Sequence, residues 1–200
     1  MVLRGARITA IAVWTAFAAM YPLVTSCAPA RPSAGSALPP LTLVDTAGKT
    51  TAFPGDLARA KLTVVVFYAD HCPCFRIHEE RIRELVRVYG PQGVKVLVVD
   101  SEVSANPERD ARAAAERGLP AIVLDPGAKL ADALGADYAT YTVVFDAQGR
   151  PRYRGGIDTD KNVLNDDTEP FLRDALDDLL AGREPRLAAG KALGCALQKH

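Results

Sequence analysis

The chain has 200 residues, and its 24 Lys and Arg are balanced by 24 Asp and Glu, so it lacks the basic excess that binds nucleic acid by charge. Hydrophobic residues make up 48%, which is enough for a core, so disordered and low-complexity classes are excluded. Four cysteines are too few for a disulfide-stapled miniprotein, and one globular domain of ordinary size is predicted.

Residues 1–26 have the pattern of an export signal. Arg4 and Arg7 precede an apolar run without charge over residues 8–24. The letters VTSC, which end at Cys27, resemble the lipobox of bacterial lipoproteins, and this implies lipid attachment at Cys27. A membrane-spanning anchor is one alternative, although the run is short for a span. A cleaved signal with an unmodified Cys27 is the other.

Residues 27–40 are rich in Pro, Ala and Ser, which predicts an extended linker between the membrane and a folded domain. The domain is expected over residues 41–200. Several acyl chains on one Cys would hold it at the membrane permanently. The predicted location is the bacterial cell envelope, facing the periplasm or the exterior.

Strand and helix patterns alternate along this domain. The β-branched runs at residues 62–68 and 94–99 predict strands that are buried on both faces. Apolar residues at helical spacing predict a long helix between them, which ends at Gly90-Pro91. Further elements are predicted in this order: a helix at 107–117 capped by Asn106, a strand at 121–124, a helix at 129–134, a hairpin with strands at 142–145 and 152–154, and a helix at 169–180. The order predicts a three-layer α/β domain.

Two cysteines flank a proline where the first buried strand meets the long helix. A thiol at the N-terminus of a helix faces unpaired N–H groups and the positive end of the helix dipole, which favours its thiolate. Pro73 suits the first helical turn because no N–H is needed there. Cys72 and Cys74 are therefore candidate redox thiols, since free thiols in an oxidising compartment rarely stay inert.

Together with this junction, several segments resemble thioredoxin-fold proteins of the redoxin branch, which is named after alkyl hydroperoxide reductase and thiol-specific antioxidant. These segments are residues 124–135, 144–149 and 153–158 and the Gly194-Cys195 tail. The resemblance covers about residues 41–197 and implies a thioredoxin-like fold with a central mixed sheet. It also implies thiol–disulfide oxidoreductase activity.

Two departures from related families bear on the reaction. Peroxiredoxins carry Pro-x-x-x-Thr/Ser-x-x-Cys, but this chain has Val65 and Ala69 at the Pro and Thr positions, so an efficient thiol peroxidase is not expected. Thioredoxins carry Trp-Cys-x-x-Cys and a cis-proline facing the cysteines. Here His71 replaces the Trp and Thr140 stands where the cis-proline would be, which predicts an altered substrate loop.

The proposed chemistry has Cys72 as the attacking thiolate and either Cys74 or Cys195 as the resolving thiol. A Cys72–Cys74 disulfide would close a very small ring and is expected to be strained. Cys195 is the alternative partner if the tail folds back over the site. It could instead be an unpaired or structural cysteine. The expected partners are thiols or disulfides of exported proteins and a reducing protein.

Metal binding is a separate hypothesis. His78 follows Cys74 by four residues on the same helix face, so Cys72, Cys74 and His78 could hold a soft ion such as Cu(I) in a copper metallochaperone. A packed core histidine is the competing interpretation, and otherwise no cofactor is expected. The acidic residues at positions 158, 160, 166 and 167 do not match a calcium loop and are interpreted as a solvated loop.

Overall fold

The computed structural model describes residues 38–200. The predicted signal, Cys27 and most of the linker lie outside these residues. Within the described part of the chain, no helix has the length and apolar character needed to cross a membrane.

Residues 38–200 form seven strands and four α-helices. In chain order they are β1 (Leu41–Asp45), β2 (Thr50–Phe53), β3 (Leu62–Tyr68), α1 (Pro73–Tyr89), β4 (Val94–Asp100), α2 (Pro107–Arg117), β5 (Ile122–Leu124), α3 (Lys129–Leu134), β6 (Thr142–Asp146), β7 (Pro151–Gly155) and α4 (Phe171–Leu180). The predicted helices and strands are all present, with ends that differ by at most two residues. The hairpin of β1 and β2 was not predicted.

All seven strands form one mixed sheet in the order β2-β1-β5-β4-β3-β6-β7. The central strands β3, β4 and β5 run parallel to one another, while β6 is antiparallel to β3 and β1 is antiparallel to β5. Because parallel strands end at the same edge, the segments that follow β3, β4 and β5 meet there. This edge carries the candidate functional site. The predicted α/β thioredoxin-like fold with a mixed sheet is confirmed.

The centre of the sheet is covered on both faces. Every residue of β3 and β6 is buried, and successive side chains of a strand point to opposite faces. On one face α1 touches two other helices: Arg83 donates to the carbonyl oxygen of Arg117 in α2, and the Tyr89 hydroxyl donates to Asp177 of α4. The apolar stripe of α1, with Phe75 and Ile82 fully buried, packs on the sheet as its spacing predicts.

The chain after α4 runs along the domain and returns to the cysteine edge. It passes β7, where Arg154 bonds to Ala188 and Gly190, and it then forms an antiparallel bridge between Ala196 and Tyr138. The amide of Val103, just after β4, donates to the carbonyl oxygen of Gln198 at 2.7 Å. The C-terminal segment therefore lies across the ends of the parallel strands.

Candidate functional site

Cys72 lies at the N-cap of α1, as the sequence predicts. The chain turns after β3, with the amide of Cys72 donating to the carbonyl oxygen of Ala69, and Pro73 begins the helix. The Cys72 sulfur accepts a hydrogen bond from the amide of Phe75 at 3.4 Å. The side chain thus occupies the place where a capping oxygen normally lies, and a negative charge on this sulfur is stabilised by the helix N-terminus.

A third thiol joins the pair from the C-terminal segment. The amide of Cys195 donates to the Cys72 sulfur at 3.3 Å. The sulfurs of Cys72, Cys74 and Cys195 all lie within 4.8 Å of one another, and all three are free thiols. The structure therefore brings together the three cysteines that the sequence analysis singles out. Cys72 and Cys195 are 123 residues apart in the chain.

Gly194 allows the tail to approach this closely. A Cβ built at Gly194 would overlap the carbonyl oxygen of Ala139, so any other residue would push the segment away. Beyond this point the segment pairs with the loop before β6. The amide of Ala139 donates to the carbonyl oxygen of Cys195 at 2.9 Å. The amide of Leu197 donates to the carbonyl oxygen of Asp137, also at 2.9 Å. Main-chain bonds on both sides thus fix the position of Cys195.

Burial disfavours the charged form of two of the thiols, Cys74 and Cys195. Burial raises the pKa of Cys74, and the nearby Cys72 sulfur raises it further. Burial also raises the pKa of Cys195 to about 12, with hydrogen bonding to Cys72 adding to the shift. Both thiols therefore stay protonated at neutral pH and can donate to a neighbouring sulfur. A negative charge in the group is best placed on Cys72, whose sulfur has two main-chain N–H donors.

Two polar residues at the site were not predicted. Asn162, in the loop after β7, accepts a hydrogen bond from the Cys74 thiol at 3.1 Å. Glu102, just after β4, is buried and accepts from the amide of Gln198 at 3.2 Å. The same carboxylate lies 3.4 Å from Nδ1 of His71, an exposed side chain beside Cys72. Glu102 therefore connects the end of the tail to the residue that precedes the first thiol.

His78 does not join the thiols, which corrects the predicted ligand set of Cys72, Cys74 and His78. Its Nδ1 lies 2.5 Å from the carbonyl oxygen of Cys74, and its Nε2 lies 2.9 Å from Asp158 Oδ1. Both ring nitrogens thus face oxygen atoms inside the core and not the thiols. His78 is a packed core histidine, the competing interpretation.

The interpretation of the acidic residues as a solvated loop is wrong for two of them. Asp158 and Asp160 are buried, and both pair with Arg81 of α1, at 2.9 Å and 2.7 Å. Burial is tolerated because each carboxylate has a cationic partner. Asp166 and Asp167 are exposed, as expected.

The loop opposite the cysteines departs from the thioredoxin pattern at Thr140. Within residues 38–200 the cis peptide bond precedes Pro54, and Thr140 instead has a left-handed φ of 70°. Its amide donates to the carbonyl oxygen of Phe67 in β3. Its hydroxyl is buried beneath Gly194 with no hydrogen-bond partner among the described residues. The positions of a peroxiredoxin Pro and Thr are filled by buried Val65 and Ala69, which supply no hydroxyl.

Comparison with known proteins identifies the family. The sequence model of the Redoxin family matches residues 33–173, which is more than half of the chain. The chain belongs to the Redoxin family. Membership, together with the Cys72–Cys74 pair on a thioredoxin-like fold, makes the protein an oxidoreductase in general terms. A search of the curated proteins gives no match.

Solved structures agree with this fold. An uncharacterised conserved protein from Geobacillus kaustophilus is 26% identical, with a TM-score of 0.74 over 82% of this chain and 90% of that one. A hypothetical protein from Sinorhizobium meliloti 1021 is 21% identical, with a TM-score of 0.75 over 83% and 94%. The pneumococcal exposed lipoprotein thioredoxin from Streptococcus pneumoniae is 19% identical, with a TM-score of 0.52 over 72% and 99%.

Proposed function

We propose that the protein is a thiol–disulfide oxidoreductase of the bacterial cell envelope, anchored by lipid at Cys27. One observation carries the activity: three free thiols lie within 4.8 Å of one another at the N-terminus of α1. Two of them can form a disulfide while the third remains available for exchange. The substrates are thiols or disulfides of exported proteins, and a second protein resets the redox state.

The arrangement supports exchange because one thiol is placed to carry a negative charge while the other two keep their protons. Cys72 is the sulfur on which the helix N-terminus and the amide of Cys195 favour a negative charge. Cys74 and Cys195 hold protons that a leaving or attacking sulfur requires. Cys74 and Cys195 are both within reach of Cys72, so either can form a disulfide with it.

Peptide mass spectrometry under non-reducing conditions tests this proposal. The full chain is exported, extracted from the membrane in detergent, and treated with glutathione buffers of graded potential. We expect a disulfide from Cys72 to Cys74 or Cys195 that opens and closes reversibly. Three thiols that stay reduced in oxidised glutathione would contradict the activity. Cys27→Ser should release the protein from the membrane fraction, and unchanged fractionation would contradict the lipid anchor.

Binding of a soft metal ion is the second candidate, favoured by the same triangle of sulfurs. Metal–sulfur bonds of about 2.3 Å place the sulfurs around one ion about 4 Å apart, close to the observed arrangement. Such an ion would have Cys72, Cys74 and Cys195 as ligands and would displace their protons. Copper competition assays distinguish this function. Cys195→Ser should abolish tight Cu(I) binding and His78→Gln should preserve it, whereas equal binding by both variants would contradict the site.

A further inference from the structure

The three thiols differ in accessibility. Cys72 has an exposed fraction of 0% and Cys74 one of 4%, whereas Cys195 is only half-buried. The C-terminal segment covers Cys72 and presents Cys195 in its place. A sulfur that reacts with a thiol or disulfide of another molecule must be reached in line with the bond that breaks. Cys195 is therefore the thiol that an incoming molecule meets first.

A cleft lies against the part of the tail that precedes Cys195. Its volume is about 420 Å³, and Gly194, the residue before Cys195, is part of its wall. Tyr138 and Tyr141 also line it. The wall of the cleft thus extends to the residue next to Cys195 in the chain.

The charge of this cleft is positive. Lys161 and Lys191 line it, and both are exposed. The acid in its wall, Asp137, is already paired with Lys199 at 2.9 Å. Lys161 is also the cation that opposes the effect of burial on the Cys74 thiol. A molecule bound here gains from a carboxylate placed close to its reacting sulfur.

We propose that thiol substrates enter through this cleft and exchange first with the sulfur of Cys195, and that Lys161 and Lys191 favour substrates with a carboxylate near the thiol. This proposal rests on the exchange activity proposed above. It assigns Cys195 a catalytic role in contact with substrate and makes Cys72 the internal sulfur.

The exchange step begins with a Cys72–Cys195 disulfide. A substrate thiolate attacks the Cys195 sulfur, the Cys72–Cys195 bond breaks, and a substrate–Cys195 disulfide forms. Cys72 leaves as a thiolate, which accepts the amide hydrogen of Phe75. A second substrate thiolate then attacks the substrate sulfur, and Cys195 leaves and takes a proton. Two substrate thiols have become one disulfide, and the protein disulfide has become two thiols. The reverse half-reaction passes through the same adduct.

The geometry around Cys72 suits the sulfur that leaves as a thiolate better than the sulfur that the substrate attacks. Its sulfur has main-chain donors from two segments, Phe75 and Cys195, so the charge that develops as the bond breaks is stabilised at once. Among residues 38–200, no main-chain N–H donates to the Cys195 sulfur, and burial raises the pKa of this thiol to about 12. The sulfur of the less buried Cys195 therefore receives the attack, and the sulfur of the fully buried Cys72 departs.

The position of the first adduct tests the proposal. The full-length Cys74→Ser variant is oxidised to the Cys72–Cys195 disulfide, mixed with glutathione for a single turnover, quenched with acid, and digested for mass spectrometry. We expect glutathione on Cys195. Glutathione on Cys72 would overturn the inference and leave the exchange activity standing. Failure of any disulfide to form in the wild-type chain would instead count against the activity itself.

The selectivity of the cleft is tested with a matched pair of thiols, glutathione and its diester, in which both carboxylates are masked. We expect wild-type protein to react about tenfold faster with glutathione, and added salt should reduce this preference. Lys161→Gln combined with Lys191→Gln should remove the preference, while Lys129→Gln, an exposed lysine of α3, should keep it. Equal rates for both thiols with wild-type protein would overturn the proposed substrate class.

Discussion

Gly194 and Ala139 lie so close that a single added methyl group at Gly194 would overlap the carbonyl oxygen of Ala139. This contact holds the tail against the loop before β6, and the next residue in the tail is Cys195. The position of the Cys195 thiol thus depends on Gly194, although Gly194 has no side chain and takes no part in the chemistry.

We expect Gly194→Ala to move the tail off the site. The added Cβ should cost about 1–3 kcal/mol of stability, as overpacking usually does. The more specific result is a loss of the Cys72–Cys195 disulfide, because the amide of Cys195 would no longer lie on the Cys72 sulfur. Urea denaturation and disulfide mapping measure the two effects.

Gly90→Ala is the matched control for this change. Gly90 has helical dihedral angles at the end of α1, and a Cβ there meets nothing within 4 Å. Its replacement should leave the disulfides unchanged and alter stability by at most about 1 kcal/mol. Normal disulfide yield in Gly194→Ala would contradict the role of the close contact.

The sequence predicts most of this fold because its signals are local. The β-branched run of β3 and the helical spacing of α1 each reflect one stretch of chain, and their ends follow from Pro73 and Gly90. The hairpin of β1 and β2 was not predicted because its strands are short and only partly buried, so they lack a clear apolar alternation.

The site was predicted less completely because its remaining residues meet through tertiary contacts. Cys72 and Cys74 are marked by the strand–helix junction, and Cys195 by its resemblance to a family tail. Glu102 had a usable signal, since it follows a parallel strand that ends at the same edge as β3. Asn162 lies in an irregular loop, and nothing in its local sequence indicates contact with Cys74.

The buried contact between His78 and Asp158 predicts a structural role for this histidine. We expect His78→Gln to lower the free energy of unfolding by about 1–3 kcal/mol, because buried Asp158 loses a hydrogen-bond partner although it keeps Arg81. Glu84→Gln, which breaks an exposed pair with Arg87 on the same helix, should cost less than about 1 kcal/mol. Urea denaturation of both variants measures the difference. Similar costs for the two would contradict the buried network.

Stability should depend on pH through Asp100. Burial raises the pKa of Asp100 from 3.8 to about 7, and the Asp110 carboxylate adds to this shift. Between these values Asp100 ionises in the unfolded chain but stays protonated in the folded one. The free energy of unfolding contributed by this group therefore falls as the pH rises from about 4 to about 7.

Denaturation with urea at several pH values checks this sign. Asp100→Asn should flatten the slope between pH 4 and 7, because an amide does not ionise. Asp178 supplies the opposite case, since hydrogen bonds from Arg183 lower its pKa to about 2. Its contribution is lost only as the pH falls below about 4, so Asp178→Asn should leave the slope above pH 4 unchanged. An unaltered slope in Asp100→Asn would refute the assignment.

The missing hydroxyl at Ala69 predicts weak peroxidase activity that a single substitution can raise. Ala69 is buried at the turn that leads to Cys72, where peroxiredoxins carry a Thr or Ser. We expect Ala69→Thr to consume hydrogen peroxide faster than Ala69→Val by on the order of tenfold, since only the hydroxyl can position the peroxide by a hydrogen bond. Thr and Val have nearly the same shape, so crowding affects both variants alike. Peroxide consumption with excess dithiothreitol measures the rates, and equal rates would show that the hydroxyl is not what this site lacks.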